Sequence, residues 1–181
     1  EAAFYGPKLD VQSVNVYGKE DTLFTIQIDF ELAERFDMSY VDADGNKKRP
    51  FIVHRSSIGC YERTLALLIE KYNGALPAWM MYTQVKVLSL TDRTAAKTEE
   101  ITAALRLKGI RAEVDNRSEK VGFKIREAQL EKIPYMLVVG DKEAAENKVS
   151  VRHRSKGDLG LMSLDEFSAG ILAEIKEKAI D

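Results

Sequence analysis

The fold of the first part of the chain is decided by one stretch, Arg49-Pro-Phe-Ile-Val-His-Arg-Ser-Ser-Ile-Gly-Cys-Tyr-Glu-Arg-Thr-Leu-Ala-Leu-Leu-Ile-Glu70. Its β-branched pair, Ile52 and Val53, predicts a buried strand, and Gly59 predicts a turn. Apolar residues then recur at helical spacing, which predicts a helix ending near Asn73-Gly74 (Leu65, Leu68 and Ile69). The stretch is therefore expected to form a strand-to-helix corner.

Polar side chains at this corner indicate a binding site. His54 ends the predicted strand, and Glu62 and Arg63 lie in the first helical turn. A corner built only for packing would bury apolar side chains at lower cost. We therefore expect a ligand at this corner.

Upstream of this corner the pattern is that of an antiparallel sheet. Strands are predicted over residues 9–17, 23–32, 36–41 and 49–56. Within the second strand apolar and polar residues alternate, so Gln27 and Asp29 share its polar face. The Asp44-Gly45 step between the last two strands predicts that they form a hairpin.

Downstream the pattern changes to alternating strands and helices. Strands are predicted over 85–90, 110–114, 135–139 and 149–151, and helices over 95–108, 123–132 and 164–178. This alternation predicts a small α/β domain with a mixed five-stranded sheet flanked by helices. The segment 74–83 carries a proline and the one Trp, and we interpret it as a connection at a domain boundary. The predicted domains are therefore residues 1–77, the part with the antiparallel sheet, and residues 78–181, the α/β part.

Composition and charge limit the classes of protein. The 181 residues are 45% hydrophobic and 31% charged, which is ordinary for a globular protein. One cysteine excludes an internal disulfide, no apolar run could span a bilayer, and the N-terminus does not resemble a signal peptide, so we expect a cytoplasmic protein. The net charge is −2, but residues 104–156 hold 13 Lys and Arg against 8 Asp and Glu, which favours RNA binding there.

The opening stretch resembles motif 3 of the class II aminoacyl-tRNA synthetases, and the threonyl-tRNA synthetase family in particular. Three further stretches resemble that family in the same order: Ala3-Phe-Tyr-Gly-Pro-Lys8, Thr25-Ile-Gln-Ile-Asp-Phe30, and Glu119 to Gln129 followed by Lys132 to Glu143. The resemblance implies the second half of a class II catalytic domain joined to a C-terminal anticodon-binding domain. It also implies that motifs 1 and 2 and two zinc ligands precede Glu1 in the intact homodimeric enzyme, so the chain alone is expected to be inactive.

The resemblance implies roles for five residues of the first domain. Arg63 would hold the γ-phosphate of ATP, Tyr5 the amino group of threonine, and Lys8 and Gln27 the reacting groups. Of these, Arg63, Lys8 and Gln27 would be catalytic. His54 would be the last of three zinc ligands, and Mg²⁺ would accompany ATP.

Each of these residues also has an ordinary structural interpretation. A lone His at a strand end is more often a hydrogen-bonded structural residue, and Arg63 could pair with Glu62 or Glu70. Tyr5 could be a half-buried surface ring. Cys60 is expected to be a small buried filler rather than a zinc ligand.

In the second domain the resemblance implies an anticodon-binding surface formed by Arg117, Lys120, Lys132, Glu143 and Arg152. A carboxylate within a basic patch makes sense as an acceptor for base N–H groups, which favours a base contact for Glu143. A solvated basic face is the alternative for the lysines and arginines.

Together these observations predict a threonine–tRNA ligase segment whose partners are threonine, ATP and threonine tRNA. The alternative is a non-catalytic tRNA-binding module, because the chain lacks motifs 1 and 2. An unrelated small-molecule α/β enzyme would need a glycine-rich phosphate loop after a strand, and the sequence contains none.

Overall fold

The computed structural model describes residues 2–180, which divide into two compact units between Lys71 and Tyr72. The predicted domain boundary after residue 77 stays a prediction of where the functional domains meet. Within the described residues no helix is both long and apolar enough to cross a membrane.

The first unit contains a three-stranded antiparallel sheet, a small hairpin and two helices. Its elements are β1 (Lys8–Val14), β2 (Glu20–Asp29), α1 (Leu32–Arg35), β3 (Tyr40–Val41), β4 (Lys47–Lys48), β5 (Ile52–Arg55) and α2 (Tyr61–Tyr72). The sheet order is β1-β2-β5, so β2 is the central strand. The predicted antiparallel sheet and the helix after Gly59 are confirmed.

One predicted strand pairing and one predicted strand end are wrong. The short strand β3 forms its hairpin with β4, whereas the segment after it, β5, pairs with β2. The strand predicted over 23–32 ends at Asp29, because the Asp29 carboxylate accepts the backbone N–H groups of Glu31 and Leu32, each at 2.9 Å. These bonds turn the chain into α1.

The corner itself is more exposed than predicted. Val53 is 61% exposed, and none of the described residues of α2 is buried. The turn requires glycine, because Gly59 has φ +77° and a Cβ there would lie 2.7 Å from the carbonyl oxygen of Leu23. Gly59 therefore constrains the backbone of the corner, although none of the described apolar side chains of α2 is buried.

The second unit is the predicted α/β domain. Its elements are β6 (Val85–Ser89), a 3₁₀ turn (Asp92–Thr94), α3 (Ala95–Leu107), β7 (Ala112–Asp115), α4 (Val121–Leu130), β8 (Tyr135–Val139), α5 (Asp141–Glu146), β9 (Lys148–His153), β10 (Gly157–Ser163) and α6 (Leu164–Glu177). The five-stranded mixed sheet has the order β10-β9-β8-β6-β7, as expected for the predicted fold class. The fifth strand, β10, and the helix α5 had no predicted position.

The sheet of the second unit separates two apolar cores. The larger core includes Val87, Leu105, Leu137 and Phe167, and the smaller includes Leu88, Ala128 and Met136. Because β6, β7 and β8 are parallel, their carboxyl ends meet at one edge of the sheet. This edge is where ligands of open α/β sheets bind, and most of the predicted anticodon residues follow it.

Candidate functional site

In the first unit the sheet register brings three predicted site residues side by side. Gln27 on the central strand is paired with Lys8 on β1 and with His54 on β5. Directly paired residues of antiparallel strands present their side chains on the same face. The amide of Gln27 is therefore flanked by an ammonium and an imidazole.

Tyr5 joins this row from the loop that precedes β1. Its hydroxyl donates to Oε1 of Gln27 at 2.8 Å, and its ring meets the His54 ring edge-on with the centroids 6.4 Å apart. Tyr5, Gln27 and His54 line an open cleft of about 400 Å³. The cleft is large enough for an amino acid and part of a nucleotide.

Asp29 also lines the cleft, and it was not among the predicted site residues. Its Oδ2 lies 3.0 Å from Nε2 of His54, while its other oxygen accepts the N–H groups of Glu31 and Leu32. The Leu32 N–H first, and then His54, hold the pKa of Asp29 below its ordinary value, so the carboxylate stays ionised near neutrality. The alternation of β2 was the available signal, since it placed Asp29 on the same face as Gln27.

These contacts suit His54 as one ligand of a metal site. An ionised carboxylate only accepts hydrogen bonds, so Nε2 of His54 carries the hydrogen of this contact, and a neutral imidazole in this position has its lone pair on Nδ1. A carboxylate on the far nitrogen is the usual support of a zinc-bound histidine. Residues 2–180 contain no group of three His, Cys, Asp or Glu that could hold a metal ion, so the described residues by themselves form no metal site.

Lys8 is held in place by an ion pair on its own strand. Its Nζ lies 2.8 Å from Oδ2 of Asp10, and this hydrogen bond is the main cause of the lowered pKa of Asp10. The Lys8 side chain remains 25% exposed. The ion pair therefore orients the ammonium along the polar face that carries Gln27.

Arg63 lies on the first turn of α2 and is exposed. One guanidinium nitrogen is 3.4 Å from the carbonyl oxygen of Thr22, which is a long contact, and most guanidinium donors have no acceptor in the part of the chain that the structure describes. Cys60 is exposed rather than buried, so its predicted role as a buried filler is wrong. Its sulfur lies 3.4 Å from the backbone nitrogen of Arg63 and accepts that N–H at the start of the helix.

In the second unit the loop after β7 forms one wall of a cleft of about 410 Å³. This cleft lies at the carboxyl edge of the parallel strands and is lined by Leu90 to Asp92, Arg117 to Lys120, and Lys124. Lys120 is exposed and directly precedes α4. Its ammonium and the free N–H groups at the start of α4 both favour an anionic ligand.

Arg117 is held by two carboxylates. Its guanidinium donates to Asp115 at 2.6 and 2.9 Å and also to Glu127 at 2.5 Å. Asp115 is 5% exposed, and the guanidinium of Arg117 is the main cause of its lowered pKa. This network fixes the loop that leads to Lys120, while much of the charge of Arg117 is neutralised.

Glu143 lies near the same edge, at the start of α5 after β8. Its Oε2 accepts the backbone N–H of Gly140 at 3.0 Å, and no donor among residues 2–180 is bonded to Oε1, which can accept from another group. A Cβ at Gly140 would lie 2.8 Å from both this oxygen and the Leu90 side chain. Glu143 is thus fixed beside the residues that follow β6.

Arg152 and Lys132 lie farther along the sheet. Arg152 on β9 pairs with Met136 and is 3.2 Å from Asp158 on β10. Lys132 precedes β8, at the opposite end of that strand from Glu143. The structure therefore brings Lys120 and Glu143 to one edge, while Lys132 lies toward the other edge.

Two protein-family models match parts of this chain. Residues 84–174 match the model of the anticodon binding domain, and residues 1–72 match the tRNA synthetase class II core domain (G, H, P, S and T). The two matches correspond to the second unit and the first unit.

Individual relatives share one name. A threonine–tRNA ligase of Clostridium botulinum (strain Eklund 17B) is 64% identical over 98% of this chain, and one of Clostridium perfringens (strain SM101) is 61% identical over the same share. The chain spans 28% of the length of each. The solved RNA binding domain of threonyl-tRNA synthetase from Cryptosporidium parvum Iowa II is 34% identical, with a TM-score of 0.84 over 96% of this chain and 44% of that one.

Proposed function

The chain belongs to the anticodon-binding domain family, and from that premise we propose that it is part of a threonine–tRNA ligase. The intact enzyme would activate threonine with ATP to threonyl-adenylate and transfer the threonyl group to the 3′ end of threonine tRNA in the cytoplasm. The observation that carries the catalytic part is the row of Lys8, Gln27 and His54 across three strands, with Tyr5 bonded to Gln27.

In this row the residues hold substrates rather than transfer protons. The Gln27 amide and the Tyr5 hydroxyl supply fixed hydrogen-bonding groups, and the Lys8 ammonium supplies charge beside them. Such a site accelerates attack of the threonine carboxylate on the α-phosphate by positioning and by charge stabilisation. Arg63 would bind the γ-phosphate, for which a planar guanidinium is suited.

Zinc bound at His54, with two ligands from outside residues 2–180, would accept the threonine hydroxyl and thereby distinguish threonine from valine. The residues that support this assignment belong to the chain itself. Asp29 orients the ring of His54, and Gln27 and Tyr5 form the wall beside it. Mg²⁺ would accompany ATP and help to neutralise its phosphates.

The second unit would recognise the anticodon. Lys120 and the α4 N-terminus attract the RNA backbone, and the free oxygen of Glu143 can accept a base N–H. Arg152 would contact RNA from the β9–β10 side of the sheet, Arg117 would contribute through its loop, and Lys132 would meet the backbone farther away.

The test is aminoacylation by the full-length gene product, which is expected to be a homodimer. We expect it to charge threonine tRNA with threonine, to discriminate strongly against valine, and to lose charging in Gln27→Ala. Charging with another amino acid would reject the assignment.

The second candidate is a tRNA-binding module without catalysis. The observation that favours it is the contrast between the units: the second has two buried cores, while α2 of the first has no buried described residue. A full-length product that binds threonine tRNA but supports no threonine-dependent pyrophosphate exchange would establish this alternative.

A further inference from the structure

Lys124, on the first turns of α4, is 2% exposed, which is unusual for a charged side chain. Its ammonium donates three hydrogen bonds: to the carbonyl oxygen of Ser89 at 2.9 Å, to the hydroxyl of Ser89 at 3.0 Å, and to the carbonyl oxygen of Asp115 at 3.2 Å. An ammonium has three donors, so all of them are used. The charge is buried, but its hydrogen bonds are satisfied.

The partners of Lys124 are the last residues of two neighbouring parallel strands. Ser89 ends β6 and Asp115 ends β7, and the Ser89 hydroxyl also lies 3.3 Å from the Asp115 carbonyl oxygen. Lys124 therefore ties these strand ends to α4 at the base of the second cleft, which it also lines. The loop 116–120 leaves directly from this point.

The ammonium makes its hydrogen bonds to neutral oxygens within the described residues. The nearby carboxylate of Asp115 is occupied by Arg117, at 2.6 and 2.9 Å. A second largely buried lysine of the same unit, Lys86, is 8% exposed and lies 2.5 Å from the carboxylate of Glu131. Lys124 helps to lower the pKa of Asp115 through space, but its ammonium donates no hydrogen bond to that carboxylate within the described residues. Burial without a directly bonded carboxylate is costly, so packing alone gives little reason for Lys124.

We propose that Lys124 is a positioning residue for anticodon recognition: it clamps the carboxyl ends of β6 and β7 so that the loop 116–120 keeps the shape that receives RNA. This inference rests on the tRNA binding proposed above. Lys124 would act through the loop, because its own donors are used inside the protein.

The experiment compares Lys124→Met with Lys86→Met in the 181-residue chain. Both substitutions remove a largely buried lysine charge and keep a long side chain, but Lys86 is not among the residues that line the second cleft. Binding of a threonine tRNA transcript, amide hydrogen exchange of residues 116–120 and thermal unfolding are measured for each variant.

We expect Lys124→Met to weaken tRNA binding roughly tenfold, the size of one lost base contact, and to accelerate exchange in the loop. Lys86→Met should lower the unfolding temperature by a similar amount and leave both binding and loop exchange unchanged. Equal effects of the two variants on binding, or unchanged loop exchange in Lys124→Met, would overturn the proposal.

Two further outcomes remain informative. If the unmodified chain does not bind the transcript, the proposed tRNA function of this chain fails, while loop exchange still reports whether the clamp exists. If Lys124→Met does not fold, Ser89→Ala removes one partner of the ammonium and should accelerate loop exchange to a smaller degree. Unchanged exchange in Ser89→Ala would then reject the clamp.

Discussion

Nε2 of His54 lies 3.0 Å from the carboxylate of Asp29, and the second oxygen of that carboxylate is bonded to two backbone N–H groups. The backbone N–H groups at the start of α1 therefore fix the orientation of the Asp29 carboxylate. This arrangement selects the His54 tautomer that has its hydrogen on Nε2 and its lone pair on Nδ1.

Asp29→Asn should reverse this tautomer. The amide oxygen must still accept the N–H groups of Glu31 and Leu32, so the amide NH₂ faces His54 and requires an unprotonated Nε2. Nitrogen chemical shifts of the imidazole in the 181-residue chain measure the change, and the only other histidine, His153, is the internal reference. In the intact enzyme the substitution should weaken zinc binding roughly 10- to 100-fold. An unchanged His54 tautomer would contradict this assignment.

Arg63→Lys in the intact enzyme should reduce threonine-dependent pyrophosphate exchange by roughly 100-fold, the scale of one lost charge-stabilising donor. Lysine keeps the charge but not the planar fork that binds phosphate oxygens. The unfolding temperature should change little, because Arg63 is exposed and, within residues 2–180, its guanidinium makes a single long contact, to Thr22. Arg55→Lys is the control, since Arg55 is exposed and follows His54 on the opposite face of β5. Equal exchange rates in the two variants would remove Arg63 from the ATP site.

Strand alternation predicted the polar face of β2, but the sequence did not predict that Lys8, Gln27 and His54 would lie side by side. Gln27 fell on the polar face of β2 from alternation alone. The contact between Asp29 and His54 could not be predicted in this way, because it depends on β5 pairing with β2 rather than with the strand before the Asp44-Gly45 turn. Local turn signals specify neighbours along the chain, but not which distant strand completes a sheet.

The second unit was predicted more fully for a physical reason. Its strand β8 is largely buried and reads as an apolar run, Tyr135–Val139, whose bounds were predicted correctly. The elements without a predicted position are weak in pattern: β10 contains two glycines and is partly exposed, and α5 has only six residues. The burial of Lys124 could not be predicted from the sequence either, because a lysine on an amphipathic helix is normally assigned to the solvated face.

Asp115 should make the stability of the chain depend on pH on the acid side. The pKa of Asp115 is below the ordinary value of 3.8, chiefly because of the hydrogen bond from Arg117. The ionised carboxylate therefore contributes fully to stability above pH 3.8, and this contribution is lost as the pH falls through the folded-state pKa. The free energy of unfolding, measured in urea, should therefore differ between Asp115→Asn and the unmodified chain near pH 6. The two values should become equal in strong acid. Arg117→Ala should show the same convergence, because the main cause of the shift is removed. A stability difference that stays constant down to strong acid would contradict this linkage.

Glu143→Gln and Glu143→Ala should distinguish the structural role of Oε2, which bonds Gly140, from the proposed RNA contact of Oε1. Glutamine can still accept the Gly140 N–H through its amide oxygen, so the start of α5 should keep its stability, whereas alanine should cost about 0.5–1.5 kcal/mol for the lost hydrogen bond. Both variants remove the free acceptor, so both should weaken binding of threonine tRNA by about 1–3 kcal/mol, and the loss should vanish for a transcript whose anticodon base cannot be recognised. Anisotropy titrations with matched transcripts and urea unfolding measure the two effects. An equal loss of affinity for every tRNA would assign Glu143 to shaping the surface instead of contacting a base.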